Sequence, residues 1–163
     1  MDKSPIRVLV VEDCEPWRRY FSTALQKQPE LQVIGEVSDG LEGVHQAEEL
    51  QPDLILLDIG LPTLNGIDAA RRIRKVAPHS KILFVSQESS TDVAQEALGL
   101  GARGYVVKAH AGRELLVAVE AVHQGRQFVS AGLAGHVPAE LGDSQVGKPA
   151  QFDETFASLE KTE

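Results

Sequence analysis

The chain has a single cysteine, Cys14, in 163 residues. It therefore cannot close an internal disulfide, and it fits a reducing compartment. No apolar run approaches membrane-spanning length, and the N-terminus lacks the apolar core of a signal peptide. A cytoplasmic chain that does not enter the membrane is expected. Positive charge is in short supply. Lys and Arg number 16 against 24 Asp and Glu, for a formal net charge of -8, and the pI is near 5.1. A nucleic-acid surface usually needs clustered Lys and Arg, so no binding of nucleic acid by this chain alone is expected. The remaining composition, 42% hydrophobic and 25% charged, is ordinary for a globular protein. The length suits one domain with a full core and an appendage.

The most informative stretch is Leu54-Ile55-Leu56-Leu57-Asp58. It is a short apolar run that ends in a carboxylate. Pro52 and Asp53 precede it, and Gly60, Pro62, Asn65 and Gly66 follow. Such a run between turn signals reads as a strand buried on both faces, as parallel strands covered by helices are. Asp58 then stands at the carboxyl end of a central strand, where open α/β sheets bind ligands. A strand-end Asp can also do no more than cap the next helix. A second apolar run, Ile6 to Val11, ends in Glu12-Asp13. If the two strands are parallel neighbours, three carboxylates meet at one sheet edge and repel unless a cation or shared protons offset them. An all-oxygen site with few protein ligands suits Mg²⁺.

Taken in order, the chain alternates strand and helix five times. Strands are expected at Ile6 to Val11, Leu31 to Val37, Leu54 to Asp58, Lys81 to Ser86 and Tyr105 to Lys108. The second is the least apolar and is expected at an edge. Helices are expected over about Glu15 to Gln28, Leu41 to Leu50, Gly66 to Val76, Ser90 or Thr91 to Leu100, and Arg113 to Gln124. Pro16 suits the first turn of the first helix, and Asp39 suits the cap of the second. Trp17, Tyr20, Phe21, Ala24 and Leu25 recur at helical spacing and mark the buried face of the first helix, with Trp17 in a core or rim position. His45 has no partner at metal spacing and reads as a surface residue. Gly101 supplies a positive-φ cap after the fourth helix. On the last helix Leu115, Val119 and Val122 form the core stripe, while Val117 and Ala121 lie off it. The alternation implies an α/β fold, a doubly wound five-stranded parallel sheet with helices on both faces. Its expected strand order is the flavodoxin-like 2-1-3-4-5, in which strands one and three are neighbours.

Four of the five strands end in a residue suited to phosphoryl chemistry: Glu12 and Asp13, Asp58, Ser86, and Lys108. A carboxylate can act as a nucleophile and form an aspartyl phosphate. Mg²⁺ held by the acidic residues would offset charge on the phosphoryl oxygens, with Lys108 and the Ser86 hydroxyl on others.

These residues lie in VVED, LLDIGLPTLNG, ILFVSQ and GYVVK. All four, in order and at this spacing, strongly resemble the CheY-like receiver domain of bacterial two-component response regulators, over about Ile6 to Gln124. The wording DIGLP, LNG and GARGY is similar to the branch that carries a C-terminal helix-turn-helix of the LuxR/NarL type. The resemblance implies that Asp58 accepts phosphate from a sensor histidine kinase. It implies that Glu12, Asp13, Asp58 and the backbone carbonyl of Gly60 bind Mg²⁺, and that Ser86 and Lys108 read the phosphorylated state. Tyr105 stands where the family places an aromatic that swings inward on activation; a fixed edge-strand aromatic is the alternative. Glu88 and Gly60 occupy positions that tune loss of the phosphoryl group. Three departures are visible: Glu12 in place of Asp, Ser86 in place of Thr, and Ala109 where many members have Pro.

The receiver is expected over residues 5–126, followed by a linker or tail over 127–163, with Ala131 to Gln151 rich in linker residues and a short helix permitted at 152–161. Nothing in the tail resembles a helix-turn-helix. The expected output is a switch on the face of helix four, strand five and helix five that controls an unknown partner or a phosphorylation-dependent homodimer. One alternative is a receiver cut from a DNA-binding regulator. Another is a phosphate-ester hydrolase, but those usually carry a second Asp two residues after the nucleophile, and here that position is Gly60.

Overall fold

The computed structural model describes residues 4–133 and a strand at 144–146. The strands are β1 (Ile6–Val11), β2 (Leu31–Val37), β3 (Leu54–Leu57), β4 (Lys81–Ser86), β5 (Gly104–Val107), β6 (Gln127–Val129) and β7 (Ser144–Val146). The helices are α1 (Glu15–Gln26), α2 (Gly40–Leu50), α3 (Gly66–Val76), α4 (Thr91–Gly99) and α5 (Ala111–His123), with a 3-10 turn at Lys108–His110. The strand order is β2-β1-β3-β4-β5-β6-β7, so the first five strands take the expected 2-1-3-4-5 order. The chain divides into two compact units, one ending at Ile82 and the other starting at Leu83.

In the first unit β1 lies parallel between β2 and β3. The register pairs Val11 with Leu57. The next residue on each strand is a carboxylate, so Glu12 and Asp58 leave the sheet at the same level. All four residues of β3 are buried, and β2 is only partly buried, as an edge strand is. The helices start where capping chemistry dictates. The Asp39 side chain accepts from the Glu42 N–H at 2.7 Å, and the Asn65 side chain accepts from the Asp68 N–H at 2.9 Å. On α3, Ile67, Ala70 and Ile73 face the core. Arg71, Arg72, Arg74 and Lys75 are exposed, with the last two favourably placed in the final turn. His45 is exposed, as expected. The buried stripe of α1 differs from expectation. Phe21, Ser22 and Leu25 are buried, whereas Tyr20 is 39% exposed and Trp17 is half-buried. The rings of Trp17, Tyr20 and Phe21 stack at 5.5 to 5.9 Å, so the two larger amphipathic rings form a rim around Phe21.

In the second unit β5 is buried throughout and pairs with β4 and β6 in parallel. Ser90 caps α4, accepting from the Asp92 N–H at 3.2 Å, and Gly101 closes the helix at φ +114°. β5 ends at Val107, and Lys108 opens the 3-10 turn instead of closing the strand. On α5, Leu115, Val119 and Val122 are buried as expected, but Ala121 is buried too. The exposed apolar pair is Leu116 and Val117, at 38% and 52%. The larger difference lies beyond position 126. Gln127–Val129 forms a sixth strand, paired Gly104 to Phe128 and Tyr105 to Val129. Ser144–Val146, inside the stretch read as a linker, pairs in parallel with it. Strands of three residues are too short to show a period, which is why they read as tail. The short helix expected at 152–161 falls outside the described residues. Among the described residues no helix is long and apolar enough to cross a membrane.

Candidate functional site

In the first unit the ends of β1 and β3 assemble an acidic cluster. Glu12, Asp13 and Asp58 each offer a carboxylate oxygen, and these atoms lie within 4.8 Å of one another. Glu12 and Asp58 are buried, at 1% and 7% exposure, and Asp13 is exposed. Glu12 Oε2 accepts from the Cys14 N–H at 3.1 Å, and Asp58 Oδ1 accepts from the Ile59 N–H at 2.8 Å. Arg18 donates to the Glu12 carbonyl at 2.8 Å. Two carboxylate charges about 5 Å apart repel by about 3 kcal/mol at an effective dielectric near 20. A cation among them reverses the sign. The donor set is all oxygen and compact, which fits a hard cation of the Mg²⁺ type.

The backbone behind Asp58 is held from the opposite side. The Gly66 N–H donates to the Ile59 carbonyl at 2.7 Å, and a Cβ at position 66 would stand 2.0 Å from the Asp58 carbonyl oxygen. Only glycine permits α3 to start so close to the end of β3. Gly40 plays the same part against the loop, where a Cβ would lie 1.7 Å from the Leu64 carbonyl oxygen. Between them Thr63 adopts φ +70°, a conformation that costs an L-residue about 1–2 kcal/mol. Gly60 is under no such constraint, since nothing lies within 4 Å of a Cβ built there.

The second unit carries the other residues expected at the site. Ser86 is buried, and its Oγ accepts from the Glu88 N–H at 3.0 Å. Tyr105 is fully buried against Phe84, with ring centroids 6.2 Å apart. Its hydroxyl donates to the Glu88 carbonyl at 2.7 Å. Ser86 and Tyr105 thus hold the same residue of the β4–α4 loop, one by its amide and one by its carbonyl. Lys108 is buried at 4% exposure directly after β5.

A further buried carboxylate was not singled out from the sequence. Glu114 is 1% exposed. It accepts from the Ser130 hydroxyl and, through Oε2, from the Ala131 N–H at 3.0 Å. Burial pushes its pKa up, against the opposing pull of Ser130, Ala131 and the Arg113 charge. A signal was present: Ala111, Glu114, Leu115, Ala118 and Val122 follow helical spacing on one face.

The description "response regulator receiver domain" matches residues 8–120 of the chain. The transcriptional regulatory protein LiaR of Bacillus subtilis is 34% identical over 139 residues, covering 85% of this chain and 66% of LiaR. A protein-glutamate methylesterase/protein-glutamine glutaminase of Thermotoga maritima is 40% identical over 130 residues, covering 77% of this chain and 38% of the enzyme. The crystal structure of the response regulator domain of Thermotoga maritima CheB is 36% identical, with a TM-score of 0.69, covering 74% of this chain and 97% of that domain. The chain belongs to the response regulator receiver domain family of two-component signalling. It spans about two-thirds or less of the two curated relatives named above.

Proposed function

We propose that the chain is a phosphorylation switch in which Asp58 accepts a phosphoryl group from a sensor histidine kinase in the cytoplasm. The observation that supports this most directly is the cluster of Glu12, Asp13 and Asp58 at the ends of two paired strands. In the transfer an Asp58 carboxylate oxygen forms the bond to phosphorus, and the bond from phosphorus to the kinase histidine nitrogen breaks. Mg²⁺ bound by Glu12, Asp13, Asp58 and the Gly60 carbonyl would neutralise charge on the phosphoryl oxygens. Lys108 supplies a cation to a phosphoryl oxygen, and the Ser86 hydroxyl donates to another. When Ser86 turns to the phosphoryl group, the Glu88 N–H gives up the acceptor it has at 3.0 Å. The β4–α4 loop then shifts together with the Tyr105 hydroxyl that holds its other side. The changed face of α4, β5 and α5 is the proposed output, toward a partner or a second copy of the chain.

The similarity to LiaR favours a second reading, a receiver that governs a DNA-binding region elsewhere in a longer protein. The coding sequence downstream of Glu163 separates the two readings. The primary test is intact mass after incubation with Mg²⁺ and acetyl phosphate. One phosphoryl adduct is expected, absent in Asp58→Asn and absent with chelator. No adduct under conditions that label a known receiver would overturn the switch.

A further inference from the structure

We infer that Glu114 and Ser130 are positioning residues for Lys108, and that they join the chain after β6 to the phosphoryl site. This rests on the reading of Asp58 as phosphoacceptor. The ladder between β5 and β6 includes ordinary rungs, among them the Phe128 N–H to the Arg103 carbonyl at 3.1 Å and the Ser130 N–H to the Tyr105 carbonyl at 2.9 Å. The next amide, Val107, donates to a side chain, the Ser130 Oγ, at 3.1 Å. Val107 immediately precedes Lys108, so this bond fixes the backbone from which the lysine departs.

The Ser130 hydroxyl is oriented in turn. Having accepted from Val107, it donates its proton to Glu114. The other carboxylate oxygen of Glu114 takes the Ala131 N–H at 3.0 Å. Ser130 and Glu114 are 0% and 1% exposed. A buried carboxylate is costly to maintain unless its acceptors are filled. Here two donors come from the segment that leaves the sheet, the Ser130 hydroxyl and the Ala131 N–H. The cluster has one donor from β5, one from the residue after β6, and one from the residue beyond that. A shift of Val107 and Lys108 relative to Ser130 stretches this bond and loosens the grip of Glu114 on Ala131. By reciprocity, whatever holds or releases the chain after Ala131 alters how well Lys108 is placed.

The test uses the full chain. Amide hydrogen exchange read by NMR is compared with and without phosphorylation by acetyl phosphate and Mg²⁺, with intact mass recorded in parallel. Exchange at the Val107 and Ala131 amides should change by about fivefold or more on phosphorylation, with no comparable change in α1. Ser130→Ala should shorten or lengthen the half-life of the adduct by a similar factor, and Ser130→Thr, which keeps the hydroxyl, should restore it. If Ser130→Ala does not fold, the wild-type exchange decides alone. An adduct with unchanged exchange at Val107 and Ala131 removes this inference and leaves the phosphorylation switch standing. No adduct removes both.

Discussion

Buried carboxylates occur in both units, and their surroundings differ. Glu12 and Asp58 are brought within 4.8 Å of each other and of Asp13, where each raises the electrostatic cost of the others. Glu114, on α5 of the second unit, receives a hydroxyl and an amide. A carboxylate supplied with protein donors is a structural element. Glu12 and Asp58 also accept from backbone amides, but carboxylates this close to one another gain from a cation among them. Burial alone does not distinguish the two, since Glu12 and Glu114 are both 1% exposed. The distinguishing quantity is what surrounds the oxygens.

The sharpest way to break the comparison is to neutralise one member of the cluster. Glu12→Gln should weaken Mg²⁺ binding in calorimetric titration by at least about tenfold, since even loss of outer partners of a metal site commonly costs 10–100-fold. The same change should raise the melting temperature in chelator, where it removes repulsion, and lower it in saturating Mg²⁺, where it removes a ligand. Equal shifts under both conditions would mean that Glu12 acts like Glu114, as a structural acid.

The second expected effect is on Glu114. Glu114→Ala leaves the Ser130 hydroxyl and the Ala131 N–H without their acceptor in a buried place. Each buried polar group so stranded costs about 1–3 kcal/mol. Urea unfolding should show a loss on that order, the same with and without Mg²⁺. A loss that depended on Mg²⁺ would erase the distinction between the two kinds of carboxylate.

The two regions also differ in how far they could be read from residues alone. The acidic cluster was legible because each member ends an apolar run, and alternation of strand and helix fixes a parallel sheet. The 2-1-3-4-5 order then puts β1 beside β3, as found. The Glu114 cluster was not legible, because it depends on β6, three residues with no period, and on a serine that follows them. Polar residues on a core stripe look like breaks in a pattern until their partners are known. The tight contacts behind Asp58 were half legible. Gly66 reads as a turn residue, but the 2.0 Å approach to the Asp58 carbonyl that demands it is a tertiary fact. On the α1 stripe Tyr20 departs for a simpler reason: it is amphipathic, and spacing alone cannot tell a core ring from a rim ring.

The smallest expected effect concerns pH. Burial raises the Glu114 pKa above its ordinary value of 4.5. The folded state therefore holds this proton more tightly than the unfolded chain does. Its contribution to stability is fully present below 4.5 and is lost as pH rises through the folded pKa. Glu114→Gln removes that proton exchange but keeps an oxygen that can accept from Ser130 or Ala131. The stability difference between wild type and Glu114→Gln should therefore vary with pH in the window just above 4.5 and flatten at higher pH. Wild type should be relatively better at the acid end. Arg113, whose charge opposes the upward shift, bounds the effect: Arg113→Gln should widen the window. Urea unfolding of the pair at several values between about pH 5 and 8 measures it. A difference that is constant with pH would mean that the hydrogen bonds from Ser130 and Ala131 fully offset the burial of Glu114.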